Sequence, residues 1–249
     1  MPYTLDKRKS TLFRERPWVF LYGSLLAGCA GYINVLMLGI YHVPVSHMTG
    51  ATSRLAMDLS TDNMQDFQGA LGIFAGFLFG AVFGGALIGG TQVLPGRRYG
   101  IAMMTEGALL GLSFVLLLFG NMSGITFAAV ACGLQNAMAS SYSGLIIRTT
   151  HVSGMVTDIG VLLGQALRYR RLEFWKLALL SSLLGGFFLG GYLGGYAYAR
   201  FGLPAILPTA LGCFFVGAIY YQWRLRHQDD LPMDRWGYYP PETLGANKL

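Results

Sequence analysis

Ser46-His47-Met48-Thr49-Gly50 and Thr150-His151-Val152-Ser153-Gly154 are two copies of one phrase, each following an apolar run of membrane length. A second matched pair precedes them: Gly31-Tyr32-Ile33-Asn34 and Gly133-Leu134-Gln135-Asn136. Asn34 and Asn136 stand 102 positions apart, and His47 and His151 stand 104 apart. The second copy therefore has two extra residues in its connection. Polar, glycine-punctuated breaks at corresponding places in two halves of an apolar chain mark an internal repeat. In membrane proteins they are the best sequence pointer to a binding site.

The composition supports a bilayer as solvent. Of 249 residues, 53% are hydrophobic and only 12% are charged. Soluble domains carry about 25% charged residues. The 35 glycines suit helices packed backbone to backbone in lipid. Cys29, Cys132 and Cys213 all fall inside apolar segments, without disulfide or metal-ligand spacing. No nucleophile elbow or phosphate-binding loop appears. An enzyme is thus the least favoured class, and no cofactor or metal is expected. The arginines at 168–171 read as a membrane flank touching anionic lipid rather than a nucleic-acid surface.

A helix crosses a hydrocarbon core of about 30 Å with about 20 apolar residues. Segments near 18–40, 68–93, 99–119, 123–146, 174–199 and 203–223 satisfy this. Segments near 50–60 and 154–167 are helical in pattern but short, and the first carries Arg54 and Asp58. Charge placement decides what they do. Cytoplasmic loops collect Lys and Arg. The basic start (Lys7, Arg8, Lys9, Arg14, Arg16) belongs inside. If both short segments return to the side they left, Arg97–Arg98, the 148–176 cluster and Arg224–Arg226 also fall inside, with Arg200 the chief exception. Three full spans per half is an odd number, so the second half is inverted. The expected fold is all-α: six transmembrane helices and two re-entrant ones in a 3+3 inverted repeat. Its parts are a basic cytoplasmic segment 1–17, repeat one at 18–119, an inverted repeat two at 120–223, and a cytoplasmic tail at 224–249.

Candidate site residues follow from the repeat. Thr49-Gly50 and Ser153-Gly154 read as N-caps of the short helices, whose termini attract anions. Arg54 and Asp158 occupy equivalent positions one turn further on, and are expected to pair or to face one cavity. His47 and His151 are structural hydrogen-bonding groups or proton relays. Asn34 and Asn136 bond between helices or line the cavity. Glu106, alone on the third long helix, faces water, meets Arg97–Arg98 or works as a proton site. Glycine runs at 76–90 and 185–195 suit close packing within the chain or in a homodimer.

The phrases His47-Met48-Thr49-Gly50 with Arg54, Gly133-Leu134-Gln135-Asn136-Ala137, Arg148-Thr149-Thr150-His151-Val152-Ser153-Gly154 and Thr157-Asp158 resemble the YoaK family of bacterial inner-membrane proteins. The likeness covers about residues 17–223. Ala51 stands where that family often has Asn. The resemblance implies a polytopic inner-membrane protein without a defined substrate. At the level of plan alone, paired half-helices are also similar to those of sulfate and nucleobase permeases. The leading expectation is a transporter that binds an anionic or zwitterionic solute between two half-helix N-termini. A passive channel and a non-transporting membrane sensor are the alternatives.

Overall fold

The computed structural model describes residues 18–89, 96–140 and 149–226. The basic start, Arg148 and the polar tail from residue 227 lie outside the described residues. Eight α-helices and one short 3-10 turn make up the described part. They are α1 (Trp18–Tyr41), α2 (Met48–Ser60), α3 (Met64–Ile88), α4 (Arg97–Leu118), α5 (Ser123–Ser140), α6 (Val152–Tyr169), α7 (Phe174–Phe201), the turn Leu203–Ala205 and α8 (Ile206–Arg226). Five are long and apolar enough to cross a membrane: α1, α3, α4, α7, and α8 with its preceding turn.

The sixth expected span is α5, which is described only to Ser140 and carries Gln135 and Asn136. It is the most enclosed helix, with every residue from Ala128 to Gln135 buried. It is packed on α3 and α4. Polar groups are tolerated there when neighbouring helices receive them. The expected 68–93 segment begins earlier and stops sooner, at Met64–Ile88. Asn63 caps its start by accepting the Asp66 N–H at 3.4 Å, and Gly89 ends it at φ 79°.

Three seams hold the bundle together: α1 on α7, α3 on α5, and α4 on α8. Glycine makes each possible. A Cβ at Gly190 would fall on the Gly28 carbonyl, and one at Gly31 on that of Phe187. In the second seam a Cβ at Gly80 would fall on the Val130 carbonyl, and one at Gly133 on that of Phe77. The two seams match position for position. Residues of α1 and α5 differ by 102, and residues of α3 and α7 by 110. The α4–α8 seam maps onto itself, since Gly107 against Ala210 becomes Gly217 against Gly100 under the same shift of 110.

The contacts also give directions. Along α1 and α7, Ser24 meets Gly186 and Tyr32 meets Gly194, so both numbers rise together and the helices are parallel. The same holds for Thr126 with Gly76 and Leu134 with Gly84 on α5 and α3. By contrast α4 and α8 are antiparallel, because Gly100 meets Gly217 while Gly107 meets Ala210. One buried cluster joins Leu26, Tyr99 and Leu183, near the starts of α1, α4 and α7, to Ile88 and Met138, at the far ends of α3 and α5. The other joins Leu36 and Leu117 to Ile73, Ala128 and Ile206. Thus α1, α4 and α7 run one way, and α3, α5 and α8 the other. It follows that α2 lies in a connection whose two ends emerge at one end of the bundle, and α6 in the corresponding connection at the other. Both short helices are peripheral. Only Ala51 and Asp58 of α2 are buried, and only Met155 of α6.

Candidate functional site

The repeated phrase is anchored by the repeated asparagine. Asn34 precedes the end of α1 by seven residues, about 10 Å along the helix axis. Its Oδ1 accepts both the Ser46 N–H at 3.0 Å and the Ser46 hydroxyl at 2.9 Å. The chain therefore turns at Tyr41 and descends to the level of Asn34 before α2 begins. In the second copy the Thr149 hydroxyl donates to Asn136 Oδ1 at 3.4 Å. Ser46 and Thr149 are both buried. Among the described residues, each asparagine side chain thus bonds the segment that leads into a short helix.

The start of each short helix departs from the sequence expectation. Thr49 and Ser153 lie in the first turn, while the N-caps are His47 and His151, neither with a side-chain capping bond. The imidazoles fold back over the turn. A Cβ at Gly50 would stand 2.8 Å from His47 Nδ1, and one at Gly154 would overlap His151. The phrase His-x-Thr/Ser-Gly is therefore a steric pair, with glycine leaving room for the ring. The Thr49 and Ser153 carbonyls accept the Ser53 and Thr157 hydroxyls at 3.0 and 2.9 Å. The first intrahelical bonds are Ala51 N–H to His47 O and Met155 N–H to His151 O. The three N–H groups before each are the donors that a helix start leaves without intrahelical partners.

Around the second copy a cavity of about 560 Å³ is bounded by His151, Ser153, Gly154, Met155, Thr157 and Asp158 with Leu180 and Leu183 of α7. His151, Gly154, Met155 and Asp158 follow the spacing that puts residues on one helix face. Thr157 enters the sequence reading only through the phrase Thr157-Asp158, and its place beside Asp158 is the available signal. Leu180 and Leu183 carry no sequence signal, since they are apolar residues on an apolar helix.

The first copy differs. Arg54 does not pair with Asp158 and does not line the cavity. Its guanidinium lies 3.9 Å from Asp58 and 3.7 Å from Asp66, both within its own half. The tight α2–α3 turn, with Asp62 at φ 53°, brings Asp66 at the start of α3 beside it. Asn63 Nδ2 donates to Asp66 Oδ2 at 3.0 Å and holds that carboxylate in place. His47, Thr49 and Gly50 mirror the cavity residues of the second half but do not line it. Among the described residues no His, Cys, Asp and Glu cluster could hold a metal ion.

Long apolar helices, glycine seams and peripheral short helices define the class: a helical, membrane-type protein. Within that class the chain belongs to the family described as "Protein of unknown function (DUF1275)", whose model matches residues 22–219 and of which YoaK is a member. No curated protein and no solved structure matches the chain.

Proposed function

We propose that the chain is a secondary transporter of a small zwitterionic solute, bound in the cavity at the start of α6. The carrying observation is that cavity itself. Ser153 and Gly154, whose N–H groups have no intrahelical acceptor, line it together with Asp158. A helix start favours a negative group. Asp158 favours a positive one, so a solute bearing both charges close together fits better than a simple anion. Thr157 and Ser153 add hydroxyls, and Leu180 and Leu183 an apolar wall.

The architecture supports the transporter reading. The position-for-position seams and the helix directions suit a 3+3 inverted repeat, with α5 as sixth span and α2 and α6 as re-entrant elements. Such repeats place broken helices at a central solute site. The directions also bring Arg97, Arg98, Arg168, Arg170, Arg171, Lys176, Arg224 and Arg226 to the end where α1 starts. By the positive-inside tendency that end is cytoplasmic, with both termini there, in the bacterial inner membrane.

The test uses full-length protein in liposomes, with counterflow of radiolabelled amino acids, dicarboxylates and polyols. Amino-acid counterflow is expected. Asp158→Asn removes a charge-assisted contact worth about 1.5–3 kcal/mol, so apparent affinity falls about 10- to 100-fold. Movement of none of these solutes, or an Asp158→Asn variant as active as the parent, refutes the reading. Flux without counterflow stimulation points to a channel instead.

A further inference from the structure

Glu106 is the one acidic residue in α4. It lies nine residues from the start of that helix, about 13 Å along its axis, and is only 4% exposed. Its Oε2 has no hydrogen-bond partner and no ion pair holds it among the described residues. The groups facing it come from three other helices. The Cys213 thiol of α8 is within hydrogen-bonding reach, Cys29 and Tyr22 of α1 lie close, and so does Cys132 of α5. Tyr99 of its own helix and Tyr220 of α8 stand next to Tyr22. None of these is a cation.

One turn beyond Cys132, Gln135 is 1% exposed and neither of its amide atoms has a partner among the described residues. A buried polar group left unpaired costs about 1–3 kcal/mol, and an ionised carboxylate costs more. A purely structural glutamate would have its oxygens satisfied. The buried cluster that lines the solute cavity reaches α4 within a turn of Glu106. Met155 and Leu183, which line the cavity, belong to the same buried cluster as Met103, one turn of α4 from Glu106. An intramembrane carboxyl with one unpartnered oxygen, whose near neighbours are thiols and phenols rather than cations, is placed to exchange with water when the bundle opens.

We propose that Glu106 is a proton-carrying carboxyl that couples solute movement to the proton gradient, a role that rests on the transport reading above. The carboxyl takes a proton from water on one side, keeps it while enclosed by Cys29, Cys132 and Cys213, and returns it to water on the other. No covalent or redox step is involved. Gln135 supplies an amide to whichever group enters when the core opens.

Two experiments on full-length protein in liposomes separate this role from the transport reading. The first needs no solute. Dicyclohexylcarbodiimide, an apolar reagent for protonated carboxyls, is applied across a pH series and the modified peptide found by mass spectrometry. Modification at Glu106 is expected, falling as pH rises, absent in Glu106→Gln and retained in Glu106→Asp. Absence of modification at Glu106 at every pH, or an extent independent of pH, overturns the proposal. The second follows amino-acid accumulation under an imposed pH gradient. One proton per solute sustains about tenfold accumulation per pH unit. Glu106→Gln is expected to keep counterflow while its accumulation ratio drops to about one; that split distinguishes lost coupling from a damaged fold. A Glu106→Gln variant that still accumulates solute overturns the coupling and leaves the transporter standing. If the parent moves no solute at all, transport and coupling fall together, and carbodiimide labelling then reports only whether Glu106 exchanges a proton.

Discussion

Gly100→Ala and Gly217→Ala offer a quantitative test of the α4–α8 seam. A Cβ at Gly100 would lie 2.8 Å from the Gly217 carbonyl oxygen and 2.9 Å from the Tyr221 nitrogen. A Cβ at Gly217 would lie 2.7 Å from both the Gly100 oxygen and the Met104 nitrogen. Ordinary contact begins at 3.4 Å, and backbone atoms cannot swing aside. Either methyl group therefore pushes the two helices apart by a little over half an ångström. Such overpacking costs about 1–3 kcal/mol. Alanine returns about 0.5–1 kcal/mol through its better helix propensity. Each single variant should lose about 1 kcal/mol net.

The double variant carries the sharper test. Both methyl groups open the same gap, so the second costs little once the first has opened it. The pair should be less destabilised than the sum of the singles by about 1–2 kcal/mol, within the range of contacting residues. Gly111 and Gly212 lie on the same two helices, and a Cβ at either meets nothing within 4 Å. Alanine there should be neutral or stabilising. A fluorogenic thiol dye reads the unfolding, since Cys132 and Cys213 are buried and Cys29 is half-buried. About 1 kcal/mol corresponds to about 2–4 °C in a chain of this size. Equal midpoints for Gly100→Ala and Gly111→Ala would refute the seam, and so would strict additivity.

Other outcomes follow from the repeated phrase. Gly154→Ala should displace the His151 ring and impair amino-acid counterflow, yet leave the thermal midpoint within about 2 °C, because alanine suits a helix and a swung ring costs only about 0.5–1.5 kcal/mol. A large fall in the midpoint would show that the glycine serves stability instead. Asn34→Ala strands two buried donors of Ser46 and should cost about 2 kcal/mol or more. Asn136→Ala releases one longer bond, worth about 0.5–1 kcal/mol. The reverse order in thermal midpoints would contradict the anchoring role of Asn34.

Where sequence reasoning succeeded and failed has physical causes. The short helices were legible because charge and glycine interrupt long apolar runs at matched places. The caps were misread because Ser and Thr usually cap through their hydroxyls. Here the histidine precedes them by two residues and its ring needs the glycine, a steric relation that propensity does not encode. The expected Arg54–Asp158 pair assumed that symmetry-related charges meet. Asp66 was nearer, and its position three residues after Asn63 was the local clue to a capped helix start there. α5 looked like any other span, because hydropathy reports what a helix is made of and not which neighbours surround it.

The glycine spacing held more than was read from it. Gly76, Gly80 and Gly84 recur as Gly186, Gly190 and Gly194 at a constant shift of 110, four residues apart within each helix. That spacing keeps one face narrow enough for a parallel partner, and α5 and α1 are those partners. Each seam therefore joins one half of the chain to the other: α1 to α7, α5 to α3, and α4 to α8. Residues 18–119 and 120–223 are not separable bodies, since neither stretch contains both sides of any seam. Movement of one half against the other must slide or tilt glycine faces whose backbones already touch. In such a bundle α2 and α6, packed chiefly on α3 and on α7, are the elements with least packing to lose. The asymmetry between them is then functional in the proposed cycle: Arg54 is tied down by Asp58 and Asp66, whereas Asp158 faces an open cavity.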